Sequence, residues 1–395
     1  MKPATLTFIK QRFTDYYTHN QIIAPNSVEQ REFAYIFFDR GYPNEIRMRR
    51  HMGCGSEDEL NAYVQSLVPA HAYYGVAYYE HPDAPVMIAK GWMGADLIFD
   101  LDADHILRGS YAEGLLRIKE ELVRLLEVLR DELGITLNER SSDIVFSGGR
   151  GYHLHLKDLV FRGWTSRERR ELVDYICGIG ISPTAMLRQP HNHQKMGIKG
   201  WPMRYQHLLG EYLSEMETMD NSEAMQALMS LKGIGKITAS RFLSEIPTLK
   251  AALTRDPTQI PVQDQTIGVV LHALMEKDTS FYRKIRESGI QIDEPVTIDT
   301  KRLIRLPGSL HAKSGFRAAS VSHRKLDAFD PLIDAVCFSD DRDVIIDAHS
   351  DNDIPLLDAI YHVKTGENRV PEAVALFMCC RGMAEISEGG KERAT

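Results

Sequence analysis

Between Tyr111 and Gly134, leucine and isoleucine recur at three- and four-residue steps: Leu115, Ile118, Leu122, Leu125, Leu126, Leu129 and Leu133. That spacing lays apolar side chains along one helical face, and Gly134 stands where such a helix would stop. On either side the period shortens. The stretch DLIFDLDADH (96–105) predicts a strand that leaves the apolar run Leu97-Ile98-Phe99 and ends among four carboxylates. DIVF (143–146) and YHLHL (152–156) predict two further strands, joined by SGGRG. The order strand, helix, strand, strand predicts an α/β fold (α+β mixed), with a mixed central sheet flanked by helices.

At 165 the texture changes. Thr165 and Glu168 are spaced as a capping box, and mostly helical patterning follows to about Arg286. Alternation returns at IQIDEPVTI (290–298), read as a strand. The pattern therefore predicts a catalytic domain formed by 1–164 and 289–387, interrupted by a mostly helical insertion at 165–288. DVIIDAHS (343–350) and AVALFMCCRGMAEI (373–386) are expected to supply the last strand and helix of the same layer, and 388–395 a frayed tail.

Composition narrows the class. A chain of 395 residues with 43% hydrophobic and 26% charged residues is ordinary for a globular protein of two or three domains. The longest apolar run is AVALFMCC (373–380), well short of the ~18 residues of a membrane span. The N-terminal segment is interrupted by Lys2, Lys10 and Arg12, unlike a signal peptide. Five cysteines make no disulfide framework in a chain of this length. A reducing, cytoplasmic setting and no membrane are expected. Net charge is −8, so any contact with nucleic acid must be local. The densest basic cluster is EIRMRRHMGCG (45–55), where Arg47 and Arg49 would share a strand face. A solvated edge strand blunted by charge is the plainer reading of that cluster.

The candidate chemistry begins with the acids. In a strand Asp100 and Asp102 share a face, roughly 6–7 Å apart. Two such carboxylates call for a raised pKa, a basic partner or a bound cation. An EF-hand is excluded, because His105 and Tyr111 stand where that loop needs Gly and Glu. SGGRGYHLHL (147–156) supplies a hydroxyl, glycines, an arginine and two alternating histidines, a set suited to phosphate. Its plainer reading is a Gly-rich hairpin, and zinc through His153 and His155 lacks a complete ligand set. The stretch 292–316 then mixes Asp293 and Asp299 with Lys301, Arg302, Arg305, His311 and Lys313. Carboxylates for divalent cations beside cations for a triphosphate are what nucleotidyl transfer needs.

In this order, REFAYIFF (31–38), FDLDADH, SGGRGYH and RLIRLPGSLHAKSG, the chain resembles the catalytic small subunit of archaeo-eukaryotic DNA primase, of archaeal type. The resemblance implies that Asp100, Asp102 and Asp293 hold two Mg²⁺ or Mn²⁺ ions. It implies nucleotide-phosphate roles for Ser147, Arg150, His153, Arg305 and His311, and for Arg49, whose neighbours Arg47 and Arg50 compete for the same match. Asp96 and Asp104 are left with a supporting or solvated place. The implied activity is synthesis of short primers on single-stranded DNA from nucleoside triphosphates, with release of pyrophosphate. The implied partner is the primase large subunit, which carries an iron–sulfur cluster, and the implied setting is the nucleoid-associated replication machinery. A primer-dependent repair or gap-filling polymerase of the same superfamily is the enzymatic alternative. A non-catalytic DNA-binding scaffold is the alternative of another class.

One departure concerns zinc. Many family members carry a cysteine-rich knuckle after the paired aspartates, whereas this chain has no cysteine between Cys54 and Cys177. No structural zinc is expected, and Cys177 with His191 and His193 reads as a buried thiol beside a polar loop. Within the insertion, LKGIGKITASRFL (231–243) is similar to a helix-hairpin-helix. Its turn at Gly233 and Gly235 could meet a DNA backbone or simply join two packed helices, and both readings stay open.

Overall fold

The computed structural model describes residues 1–39, 41–102, 110–188 and 200–387. Its contacts divide the chain into two compact units. The first is Met1–Leu122, Leu137–Arg170 and Ile292–Thr395, and the second is Val123–Thr136 and Glu171–Gln291. Asp104, His191, His193 and the tail 388–395 lie outside the described residues.

All the strands among the described residues belong to the first unit. β1 (Phe33–Phe37), β2 (Met48–Met52), β3 (Pro69–Gly75), β4 (Ala77–Tyr79), β5 (Trp92–Ala95) and β6 (Leu97–Asp102) precede the helix Tyr111–Glu127. Next come β7 (Ser142–Phe146) and β8 (Gly151–Leu156), then β9 (Leu303–Arg305) and β10 (Ala319–Val321). The C-terminal stretch adds β11 (Asp343–Ala348), β12 (Asn352–Leu356), β13 (Ala359–Val363), β14 (Gly366–Pro371) and β15 (Ala384–Ile386).

The expected class, helices packed with sheets, is the one adopted, but the central sheet is divided. Two four-stranded sheets, β2-β1-β3-β9 and β10-β7-β8-β6, carry the site, and their pairings are antiparallel rather than mixed. In the second sheet, Phe99 and Leu101 of β6 and Tyr152 and Leu154 of β8 are fully buried. Each such side chain contributes about 1.5–3 kcal/mol on leaving water. The opposite face of the same two strands is left to carry polar groups, as a period of two requires.

Two expectations are corrected. The stretch 290–298 is not a strand: Glu294–Ile298 forms a short helix with Asp293 at its N-cap and Pro295 in its first turn. Proline there lacks only an N–H that a helix start leaves unbonded anyway, so the local chemistry favours a helix over the apparent alternation. The C-terminal segment does not extend the central layer. β14, β11 and β15 form a separate three-stranded sheet, β12 and β13 a hairpin, and the buried helix Glu372–Cys380 follows β14. β2 is an edge strand, as the plainer reading of the basic cluster has it, and Arg47 falls outside it.

The second unit has its own core, built on Trp201, Tyr205, Leu209, Phe242, Leu271 and Phe281. Helices Asn221–Met229 and Lys236–Arg255 flank the turn that holds Gly233 and Gly235. No helix among the described residues is long and apolar enough to cross a membrane.

Candidate active site

Register places the acids. In the β6/β8 pair Asp100 stands opposite His153, and Asp102 opposite Gly151. Asp100 Oδ1 lies 3.5 Å from His153 Nε2. A Cβ on Gly151 would sit 2.3 Å from the carbonyl oxygen of Leu101, so only glycine lets β8 begin so close to the end of β6. The preceding turn is shaped by Ser147, whose Oγ accepts the N–H groups of Gly149 at 3.2 Å and Gly151 at 3.3 Å.

The first sheet supplies the facing cation. Arg305 on β9 pairs with Tyr73 on β3. Its Nη1 donates to His71 Nδ1 at 2.9 Å, its Nη2 to the Tyr73 hydroxyl at 3.3 Å, and its guanidinium lies 4.4 Å from the Tyr73 ring centre. Accepting from Arg305 requires a neutral His71, and burial together with the Arg305 charge holds its pKa well below the ordinary value. His311 caps the 310–317 turn, its N–H bonded to the Phe316 carbonyl at 2.9 Å. Its ring meets that of His71 edge-on at 4.9 Å. Burial, then Arg305, keeps His311 neutral as well. His153 is lowered to about 4, by burial first, and its Nδ1 has no hydrogen-bond partner among the described residues. Ser314, which donates to the Gly148 carbonyl, ties this turn to the SGGRG turn.

These groups converge. Asp100, Asp102, Ser147, Arg150, His153, Arg305 and His311 line one cavity of about 720 Å³. Arg302, Lys313 and Arg381 line it too, so among the described residues cations outnumber acids on its wall, which suits a polyanion. Asp293 is not among the residues that line this cavity, but its backbone lies beside β6, where its N–H donates to the Asp100 carbonyl at 2.8 Å. The side chain of Asp100 keeps 20% of its surface exposed, and an all-carboxylate donor set suits a hard divalent cation. Among the described residues no three His, Cys, Asp or Glu side chains already stand as a metal cluster.

Other candidates stand apart. Arg49 pairs with Tyr35, and its guanidinium lies 4.9 Å from the Phe37 ring. It therefore sits on the sheet face opposite that of His71 and Tyr73, away from the cavity wall. Asp96 is neither solvated nor in the cavity. It is buried, with Oδ2 2.6 Å from Arg31 Nη2 and Oδ1 accepting from Tyr78 at 2.8 Å. In the second unit, Gly233 has φ 80° and Gly235 has φ −92°, and a Cβ on either would meet nothing within 4 Å. Cavity residues that sequence reasoning missed include Tyr73, Tyr111 and Arg381, with His71 behind them. HAY (71–73) offers the same alternation as HLH (153–155), a signal too common to single out.

Residues 99–322 match the family model described as DNA primase small subunit. The chain is 53% identical to the DNA primase small subunit PriS of Methanospirillum hungatei, across 98% of each chain. It is 47% identical to that of Methanosphaerula palustris, across 98% of this chain and 100% of the relative. The matched stretch carries both the paired acids of β6 and the phosphate-type residues of the opposing sheet, and the chain belongs to the DNA primase small subunit family.

Proposed function

We propose that this primase catalytic subunit makes primers by two-metal nucleotidyl transfer in the cavity between Asp100 and Arg305. The observation that carries this reading is that both acids of β6 and both sets of phosphate-type side chains line one cavity. Asp100, Asp102 and Asp293 would hold two Mg²⁺ or Mn²⁺ ions. When bound, such ions lower the pKa of an attacking hydroxyl and offset charge on the leaving oxygen.

The chain's own residues supply the rest by positioning and charge. Arg150 and Arg305 grip the triphosphate. His311 and His153, kept neutral by burial, each offer an N–H without adding charge. Ser147 holds the turn that presents Arg150, and Arg305 arrives already oriented by His71 and Tyr73. Attack of a 3′-hydroxyl on the α-phosphate forms the new phosphodiester bond and expels pyrophosphate toward these cations. Single-stranded DNA is the template, and a large subunit bearing the iron–sulfur cluster is the partner. The enzyme works with the cytoplasmic replication machinery.

The test is synthesis on unprimed single-stranded DNA, with Mg²⁺ or Mn²⁺ and with ribo- or deoxyribonucleotides. Product without a primer is expected, together with its loss in folded Asp100→Asn and Asp102→Asn variants. Product only from an annealed primer would favour the gap-filling alternative, and full activity in either variant would end the two-metal reading.

A further inference from the structure

The short helix that begins after Asp293 is fastened from a second side. Arg169, on the helix Ser166–Cys177, is fully buried. Its Nη1 donates to the carbonyl oxygens of Asp96 at 3.0 Å and Thr297 at 3.4 Å, its Nη2 to that of Ala95 at 3.0 Å, and its Nε to that of Trp164 at 3.2 Å. Asp96 immediately precedes β6, and Thr297 lies in the last turn of the helix Glu294–Ile298. One nitrogen therefore joins the start of the strand that carries Asp100 and Asp102 to the end of the helix whose N-cap is Asp293. The backbone bond from Asp293 to Asp100 joins their other ends, so the helix is tied along β6 at two points. On the outside, Arg170 Nη1 lies 2.9 Å from the carboxylate of Glu294, the residue after Asp293. Both arginines, the strand and the short helix belong to the first unit.

A helix of five residues does not hold itself in water, so its place depends on the contacts made to it. Its last carbonyls have no intrahelical donor. A planar guanidinium bonds several carbonyls at once, whereas a compact ammonium cannot hold the same fork. Burial lowers the Arg169 pKa to about 10, which leaves it charged at neutral pH. Burying that charge is costly unless its donors are used, and Arg169 spends them on three separate stretches of backbone. Ligands of a metal act only when held within about 0.5 Å of the productive geometry, so what fixes the helix fixes the acid at its start.

Resting on the reading of Asp293 as the third metal carboxylate, we propose that Arg169, assisted by Arg170, is a positioning residue for the metal site, holding the helix that starts at Asp293 against the strand that carries Asp100 and Asp102.

The experiment uses the full-length chain. It reads Mn²⁺ affinity directly, from the loss of the free-ion electron paramagnetic resonance signal, beside the Mn²⁺ dependence of primer synthesis. Arg169→Gln is expected to weaken Mn²⁺ binding about tenfold, the loss of roughly one charged hydrogen bond, with much of kcat recovered at saturating Mn²⁺. Arg169→Lys, which keeps the charge but not the fork, should recover part of the affinity. Arg170→Gln should weaken binding about two- to threefold, in line with an exposed ion pair. The sign separates positioning from simple electrostatics. Taking a cation away from a divalent ion would by charge alone tighten its binding, whereas a loosened helix weakens it. Unchanged or tighter Mn²⁺ binding in folded Arg169→Gln overturns the proposal. If the Arg169 variants do not fold, Arg170→Gln, at the surface, decides by the same sign. Asp293→Asn is measured in parallel. Weaker binding there but not in the arginine variants removes only the fastening, and unchanged binding there removes the third acid itself and the proposal with it.

Discussion

The backbone N–H of Asp293 donates to the carbonyl oxygen of Asp100 at 2.8 Å. This bond fixes the start of the helix Glu294–Ile298 against the strand that carries the paired acids. Asp299, at the far end of the same helix, uses its carboxylate to accept the N–H of Lys301 at 2.8 Å. Asp293→Asn should therefore abolish nucleotidyl transfer and Asp299→Asn leave most of it. Primer synthesis by folded variants at saturating Mn²⁺ checks the ranking, and the reverse order would move the third ligand to Asp299.

Arg305 is held by His71 rather than by a carboxylate. Replacing His71 by Ala removes an acceptor worth about 1 kcal/mol, so KM for the nucleotide should rise several-fold while the fold persists. His71→Gln, which restores an acceptor oxygen, should regain part of the loss. Equal KM values across the three proteins would show that Arg305 does not depend on this contact.

Stability should fall in mild acid. Burial holds His71, His155 and His311 well below the ordinary histidine value of 6.5. As pH drops below that value the unfolded chain takes up protons that the folded chain refuses. Each histidine then subtracts up to about 1.4 kcal/mol per pH unit until its own folded pKa is reached. Denaturant unfolding at pH 7.5, 6.5 and 5.5 measures the slope. His155→Phe should remove one proton's share of it, and a stability independent of pH over that range would contradict the burial argument.

The turn at 231–236 can be tested without disturbing the helices. Gly235 has an ordinary backbone conformation and open space around its Cβ position, so Gly235→Gln should fold normally. Gly233, at φ 80°, would be strained by any side chain. If the turn amides meet a DNA backbone, Gly235→Gln should weaken binding of single-stranded template more than binding of nucleotide. Template affinity equal to that of the parent chain would leave the turn as a helix connection.

Short-range order was legible in the sequence. The period of two in β6 put Asp100 and Asp102 on one face, and the period near 3.6 marked the helix after Tyr111. The Thr165 and Glu168 cap forms, with the Glu168 carboxylate accepting the Thr165 N–H at 2.9 Å and the Thr165 hydroxyl accepting the Arg167 N–H at 3.3 Å. In each case the cause lies within a few residues: side-chain direction, a cap, a turn. At 290–298 the same logic misled, because alternation there competes with an N-cap aspartate and an early proline, and those local groups won.

Pairing across the chain was decided only by the tertiary structure. Which strand lies beside β6, which sheet face Arg49 takes, and whether Arg305 meets a histidine from β3 are set by strand pairing between segments far apart in the sequence. Hydrophobic pattern says that a face is buried but not against what. The arrival of Arg381 at the cavity and the backbone bond from Asp293 to Asp100 have the same origin. Each joins residues far apart in sequence, and only packing brings them within reach.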